Sequence, residues 1–328
     1  MFFITILQLP QYYTLQSPIN IDLSRTIRPS RKNIISFHNY NKPPKTGETY
    51  TFSNNGHTLV IDIPESTLYY LKKGGNKFVP IQAHIHFGSP IKKGSEHSLN
   101  RKFFQGEMHL VHRNAKYKLA EVSQHSDGLL VIGVFVKLTV RRRSSSIFSQ
   151  LGGHAGELNQ QGNSVKVPAF PLANFIPCRA NLKRTPYVNY RGSLTTPPCT
   201  ENVDWVVLTC RVHTINLRDL RAINKVLDCE NLPMYGNYRP VQATNGRKLY
   251  GVNMRPKHKT RKICSRANSY ILCKFSENQI KFPVYSSFYI VRMKSCKKLP
   301  ENPSIENPPK PNRFRKTVNT SLDTHLVS

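Results

Sequence analysis

The chain has 328 residues, 38% of them hydrophobic, enough for a sizeable core in one large domain or two ordinary ones. With 48 Lys and Arg against 18 Asp and Glu its formal charge is +30, which bears on solubility and anionic partners rather than on fold. No window approaches 18 consecutive apolar residues, which excludes a membrane-spanning helix, and 17 Gly and 23 Pro exclude a collagen-like or low-complexity chain.

In chain order, the opening MFFITILQLP is apolar but lacks the positive start, the longer apolar run and the small-residue cleavage site of a signal peptide. HTLVIDI (57–63) alternates apolar and polar positions, as a half-buried strand does. PIQAHIHFG (80–88), FQGEMHLVHR (104–113), GLLVIGVFVKL (128–138) and DWVVLTCRV (204–212) are β-rich and mostly bounded by Gly or Pro. NLRDLRAINKVLDC (216–229) places Leu217, Leu220, Ile223 and Leu227 at a helical period. These segments predict a mainly β protein, a large, mostly antiparallel sheet with short peripheral helices. Beyond residue 250 the composition shifts: sixteen Lys and Arg stand against four acids. ICSRANSYILCKF and FPVYSSFYIVRM there read as strands without a partner, and PENPSIENPPKPNRFRK as an extended, mobile tail. The seven cysteines form no CxxC pair, against a cysteine zinc module, and their odd number leaves at least one free thiol within a single chain.

Three of the twelve histidines carry a chemical pattern. His84 and His86 lie two apart on one predicted strand, so both leave the same face. His109 falls on the next strand, which is expected to be adjacent and antiparallel. Three imidazoles converging from neighbouring strands suit tetrahedral zinc with a fourth position open. Gln82 and Glu107 each precede a histidine by two residues, and so share its face as acceptors for the outer ring N–H. Taken alone, an HxH pair also fits two polar residues on a wet strand face. It fits a cupin site as well, although Glu96, ten residues past His86, is farther than a cupin strand usually places its acid.

The ordered motifs QSPINID (16–22), SNNGH (53–57), QAHIHFGS (82–89), GSEHSLN (94–100), EMHLVHRNAKY (107–117), DGLLVIGVFVKL (127–138), GSLTTPPCTENVDW (192–205) and NYRPVQ (237–242) resemble the α-class carbonic anhydrases. The resemblance implies one catalytic domain over 16–250, between an unmatched segment 1–15 and a basic tail 251–328. It makes His84, His86 and His109 the ligands of Zn2+, with Gln82 and Glu107 behind them. It makes Thr195 the residue that orients the nucleophile by donating its hydroxyl hydrogen to Glu96, with Thr196 a further polar contact. Val111, Val131, Leu194, Val203 and Trp205 would receive carbon dioxide, and His57, with Asn55 nearby, would shuttle the proton. His97, Asn237 and Arg239 match positions around the site, and His112, on the opposite strand face from His109, reads as structural. The implied activity is reversible hydration of carbon dioxide to bicarbonate, with pH regulation and one-carbon metabolism as its settings and sulfonamides as expected inhibitors.

The alternative is a non-catalytic binding protein of the same fold with a basic surface. Such relatives typically lose a ligand histidine, and this chain keeps all three. The tail would offer a contact to an anionic surface. No nucleic-acid partner is expected, because the basic residues are spread along the chain without a recognition module. Three departures from the family stand out. Phe87 and Arg113 occupy positions where Trp is common, and a buried, unpaired Arg113 would be costly. Cys199 matches a cysteine that secreted members bridge to a partner ahead of the QSP motif, where this chain has Gln11. Cys199 therefore points to a secreted or extracellular protein, while the lack of a signal peptide leaves a cytoplasmic one as the alternative; a truncated or misassigned N-terminus would reconcile the two.

Overall fold

The segment LLVIGVFVKLT is apolar at consecutive positions, so as a strand it must be covered on both faces. In the computed structural model, which describes residues 14–65, 68–177, 183–209 and 211–254, it is an interior strand of a large sheet. Twelve described strands make up that sheet. In chain order they are β1 (Ser36–His38), β2 (Thr49–Asn54), β3 (Leu59–Asp62), β4 (Tyr70–Lys73), β5 (Asn76–Phe87) and β6 (Gly106–Asn114). They continue with β7 (Leu129–Thr139), β8 (Ser164–Pro168), β9 (Tyr187–Gly192), β10 (Val203–Leu208), β11 (His213–Asn216) and β12 (Tyr250–Val252). The main path runs β8-β2-β3-β5-β6-β7-β10-β9-β12, with β11 pairing to β7, and β4 joining β1 to β5. Neighbours are antiparallel except that β10 and β11 both run parallel to β7. A separate two-stranded parallel ribbon joins Asn20–Ile21 to Ser98–Leu99.

Side-chain alternation sorts the sheet into two cores. Ala83, Ile85 and Phe87 of β5, Met108 and Leu110 of β6, Leu130, Ile132, Val134 and Val136 of β7, and Val206 of β10 face one cluster. It also takes Ile147, Phe148 and Leu151 of helix α1 (Ser146–Gly153) and Leu220 and Ile223 of helix α2 (Leu217–Ile223). The intervening positions Val111, Leu129, Val131, Phe135, Val203, Trp205 and Val207 form a second cluster on the other face. Gln82, His84, His86, Glu107 and His109 share the parity of this second face. Strand β5 carries Pro80 inside the sheet. The register against β6 shifts between Pro80 and Gln82, a bulge that absorbs the missing backbone donor just ahead of the histidines.

Among the described residues the expected strands form, although that expected over 204–212 ends at Leu208. The expected helix over 216–229 does not run its length: α2 ends at Ile223, and Asn224 caps it. Beyond it the Asp228 carboxylate accepts the backbone N–H of Glu230 and Leu232, and Leu227 donates to the Asn159 carbonyl, so local turn bonds replace the helical ladder. Arg113 is only partly buried and is not unpaired. It donates to the Tyr117 carbonyl at 2.8 Å and to the Glu65 carboxylate. Phe87 is buried in the large core with its ring 6.0 Å from that of Phe148, edge to face. The strands read in 264–292 and the mobile tail lie outside the described residues.

His112 belongs to the large-core side, as its parity requires. Tyr40 Oη lies 2.5 Å from its Nε2 and the Leu130 carbonyl 3.2 Å from its Nδ1. Burial lowers its pKa from 6.5 to about 3. As pH falls the unfolded chain therefore takes up this proton first. The contribution of neutral His112 is complete above pH 6.5 and is lost toward pH 3, by up to ~1.4 kcal/mol per pH unit. In urea unfolding of metal-free protein between pH 7 and 4, His112→Gln should show a correspondingly shallower loss of stability than the wild-type chain. Equal slopes would remove His112 as a source of acid sensitivity.

Candidate metal centre

Strands β5 and β6 are antiparallel neighbours, and His84 and His109 stand directly opposite each other. His86, two residues on, is opposite Glu107. The inner nitrogens meet: His109 Nδ1 is 3.3 Å from His84 Nε2 and 3.2 Å from His86 Nε2. Tetrahedral coordination at a Zn–N distance of about 2.05 Å needs nitrogens about 3.3 Å apart. The triad expected from the sequence is thus assembled at metal-binding spacing.

The outer nitrogens determine what the inner ones can do. His84 Nδ1 faces Gln82 Oε1 at 3.1 Å, His86 Nδ1 faces the Asn237 carbonyl at 2.6 Å, and His109 Nε2 faces the Glu107 carboxylate at 3.0 Å. Each partner is an acceptor, so each outer nitrogen carries the hydrogen and each inner nitrogen a lone pair. Three lone pairs facing one point cannot hydrogen-bond to one another; a cation satisfies all three. Burial pushes the pKa values of His84 and His109 down, keeping both neutral as ligation requires. Burial alone would raise Glu107, but the charge of His97 and hydrogen bonds from His109 and His97 outweigh it and hold the carboxyl far below its usual range.

Glu107 extends the support inward. Its Oε1 is 2.7 Å from His97 Nδ1, and its Oε2 accepts the His97 backbone N–H at 2.8 Å. His97 Nε2 meets Tyr190 Oη at 2.6 Å, and Tyr190 Oη meets Ser17 Oγ at 2.9 Å. Ser17 exchanges hydrogen bonds with Ser193, next to the loop that carries Thr195. The Trp205 ring packs edge-on against His97 and His109, at 4.8 and 4.7 Å. Two glycines make room. A Cβ at Gly133 would lie 2.8 Å from Glu107 Oε1, and one at Gly192 would lie 2.2 Å from Ser17 Oγ.

Glu96 is buried beside the triad. Its Oε1 accepts the Arg239 backbone N–H at 2.8 Å. Its Oε2 has no hydrogen-bond partner and lies 3.4 Å from His86 Nε2 and 3.9 Å from His109 Nδ1. The bond expected from Thr195 to Glu96 is therefore not made. Thr195 is buried, but the free carboxylate oxygen is turned toward the imidazoles. A buried carboxylate oxygen set against lone pairs is a second mark of a cation site.

The expected apolar wall comes together: Val111, Val131, Val203 and Trp205 are buried in one cluster, with Leu194 half-buried against it. Thr196 is exposed beside it. His57 is exposed in the turn between β2 and β3, where its backbone N–H meets Asn55 Oδ1 at 2.9 Å and its carbonyl accepts from Asn237 Nδ2 at 3.1 Å. Asn237 thus ties the His57 turn to β5, since it also bonds Ile85, His86 and Phe87. Tyr190, Ser17 and Ser193 were not singled out from sequence. Their motifs were visible, but the side chains meet only in the fold, across 173 and 176 positions.

Fold and site together define a β-sheet protein with a buried three-imidazole centre able to hold a metal ion. A family model described as eukaryotic-type carbonic anhydrase matches residues 12–253. Carbonic anhydrase 6 of Canis lupus familiaris is 33% identical over 238 residues, covering 71% of this chain and 71% of its own length. Carbonic anhydrase 6 of Homo sapiens is 32% identical over 247 residues, 73% of this chain and 77% of its own. Carbonic anhydrase 15 of Mus musculus is 31% identical over 246 residues, with 71% and 74% covered. The chain belongs to the eukaryotic-type carbonic anhydrases.

Gly133→Ala should push Glu107 from His109 and weaken zinc binding by about tenfold or more, within the range found for groups that orient metal ligands. Competition against a chromogenic chelator reads it. Unchanged affinity in a folded variant would show that Glu107 does not set the His109 tautomer.

Proposed function

We propose that this chain is a zinc enzyme catalysing the reversible hydration of carbon dioxide to bicarbonate and a proton. The observation that carries the reading is the lone-pair geometry: three imidazoles at tetrahedral spacing, each fixed from behind by an acceptor. Family membership supports the reaction class.

Zinc held by His84, His86 and His109 supplies a Lewis acid, and acidification of its water to a pKa of about 7 is the general property of carbonic anhydrases. The remaining work falls to the chain. Val111, Val131, Leu194, Val203 and Trp205 offer an apolar surface where carbon dioxide is preferred to water. Thr195 is assigned the orienting role: in the zinc-loaded enzyme its hydroxyl hydrogen would turn to Glu96 Oε2, a bond not made in this structure, leaving its oxygen to accept a hydrogen from the nucleophile. That assignment gives Glu96 Oε2 the donor it otherwise lacks. Thr196 is a further polar contact at the pocket. His57, exposed in its turn, accepts the departing proton on its imidazole and passes it to buffer. The catalytic unit is placed at 16–250.

The test is carbon dioxide hydration by purified full-length protein of known zinc content, with and without a sulfonamide. One zinc per chain and inhibitable activity are expected, both lost in His109→Ala. His57→Ala should keep its zinc and lose about tenfold or more of the maximal rate in dilute buffer, with recovery in concentrated imidazole. Folded, zinc-loaded but inactive protein would instead favour the non-catalytic binding protein of the same fold.

We assign the chain to an oxidising, extracellular or lumenal setting, because Cys229 is disulfide-bonded. Cys199 is a half-buried free thiol whose pKa burial pushes up, so it is not the bridged cysteine. Among the described residues no helix is long and apolar enough to cross a membrane. Alkylation without reductant, followed by peptide mass spectrometry, should label Cys199 and spare Cys229; labelled Cys229 would withdraw the assignment.

A further inference from the structure

Helices α1 and α2 pack on the large-core face, and a groove of about 570 Å³ lies between them. Its floor is apolar and small: Ala155, Gly156, Leu217 and Ala222. A Cβ built at Gly156 meets no atom within 4 Å, so open space stands over that position. One wall is cationic. Arg218, Arg221 and Lys225 line it, all exposed. Arg218 touches only the edge of Asp219 at 3.2 Å while 84% of its side chain remains exposed. Asp219 is itself buried and already accepts from Ser144 and Asn216. Among the described residues Arg221 and Lys225 have no ion-pair partner, and the nearby acid Glu157 is taken by His154.

We propose that this groove binds an extended acidic polypeptide segment of a partner protein. Arg221 lies in the last turn of α2 and Lys225 in the turn just after its Asn224 cap, and both line the groove. An extended chain with carboxylates at alternate positions presents them all on one face, about 6.6 Å apart, toward the cations. The intervening side chains of such a segment point the other way, onto the apolar floor. A sulfated glycan would also meet the cations, but no aromatic ring lines the groove to stack on a sugar face. The net charge of +30 steers an acidic partner toward the chain, and the groove selects what stays. No residue assigned to the metal centre lines the groove, so this proposal stands apart from the hydration reaction.

The test is fluorescence anisotropy with a fluorescein-labelled decapeptide of alternating Glu and Ala, titrated with the full-length chain. Arg221→Glu with Lys225→Glu should weaken binding by about tenfold or more. Gly156→Leu, which fills the groove without changing charge, should weaken it similarly, while Lys116→Glu with Lys118→Glu, an exposed pair beyond the Asn114 end of β6, should change it by less than about threefold. Thermal unfolding verifies that each variant is folded. Three results would overturn the proposal: no binding by the wild-type chain, equal losses from the two charge-reversed pairs, or binding indifferent to Gly156→Leu. Preference for a heparin oligosaccharide over the peptide, with the same dependence on Gly156, would also overturn it and assign the groove to a sulfated glycan.

Discussion

Three imidazole lone pairs held 3.2–3.3 Å apart repel unless a cation lies between them, and much of the second face of the sheet keeps them there. The outer nitrogens are not left to water. Gln82, the Asn237 carbonyl and Glu107 accept from them, and Glu107 is held in turn by His97. His97 leans on Tyr190, and Tyr190 on Ser17, which is joined to Ser193. Metal ligand and Thr195 loop are thus ends of one buried hydrogen-bonded chain. A buried polar chain of this kind is favourable only when every member is satisfied. Beside it lies one polar atom without a hydrogen-bond partner, Glu96 Oε2, which is turned to His86 Nε2 at 3.4 Å.

Such a network needs a frame in which neighbouring residues never compete for the same space. Period-two alternation supplies it. On β6, Met108 and Leu110 enter the large core while Glu107, His109 and Val111 enter the site side. A one-residue slip in register would send the histidines into the large core and the methionine and leucine into the metal centre. Apolar burial on both faces therefore fixes the register, and the register fixes the metal geometry. Gly133 shows how tight the arrangement is: on β7, opposite His109, it has no side chain, and the Glu107 carboxylate occupies that space.

What could be read in the sequence follows from the range of each interaction. The triad was legible because two of its members are two residues apart and the third lies on the adjacent strand. Gln82 and Glu107 were legible for the same reason. The acceptor for His86 was not, since the Asn237 carbonyl is 151 residues away and a backbone atom leaves no mark in the residue code. The parallel pairing of β10 and β11 to β7 was hidden too, because a strand buried on both faces reads alike whichever way its neighbours run. The early end of α2 depended on side chains that bond their own backbone, which periodicity does not register. Arg113 looked costly in isolation and is accommodated by Tyr117 and Glu65, the latter 48 residues away. The pairing of Thr195 with Glu96 came from family resemblance alone, and the carboxylate turned to the imidazoles shows why a motif cannot state an orientation.

The two faces of the sheet also divide the chemistry. Helices α1 and α2 cover the large core with Phe148, Leu151, Leu220 and Ile223, and carry Arg218 and Arg221 outward. The metal centre is enclosed on the opposite face by Trp205, Val203 and Val131. Strand parity puts the layer of β5, β6 and β7 between the two, so a partner seated over α2 leaves the approach to the apolar wall free. Alternation along each strand thus sets the cationic helix surface and the imidazole cluster on different faces of the sheet.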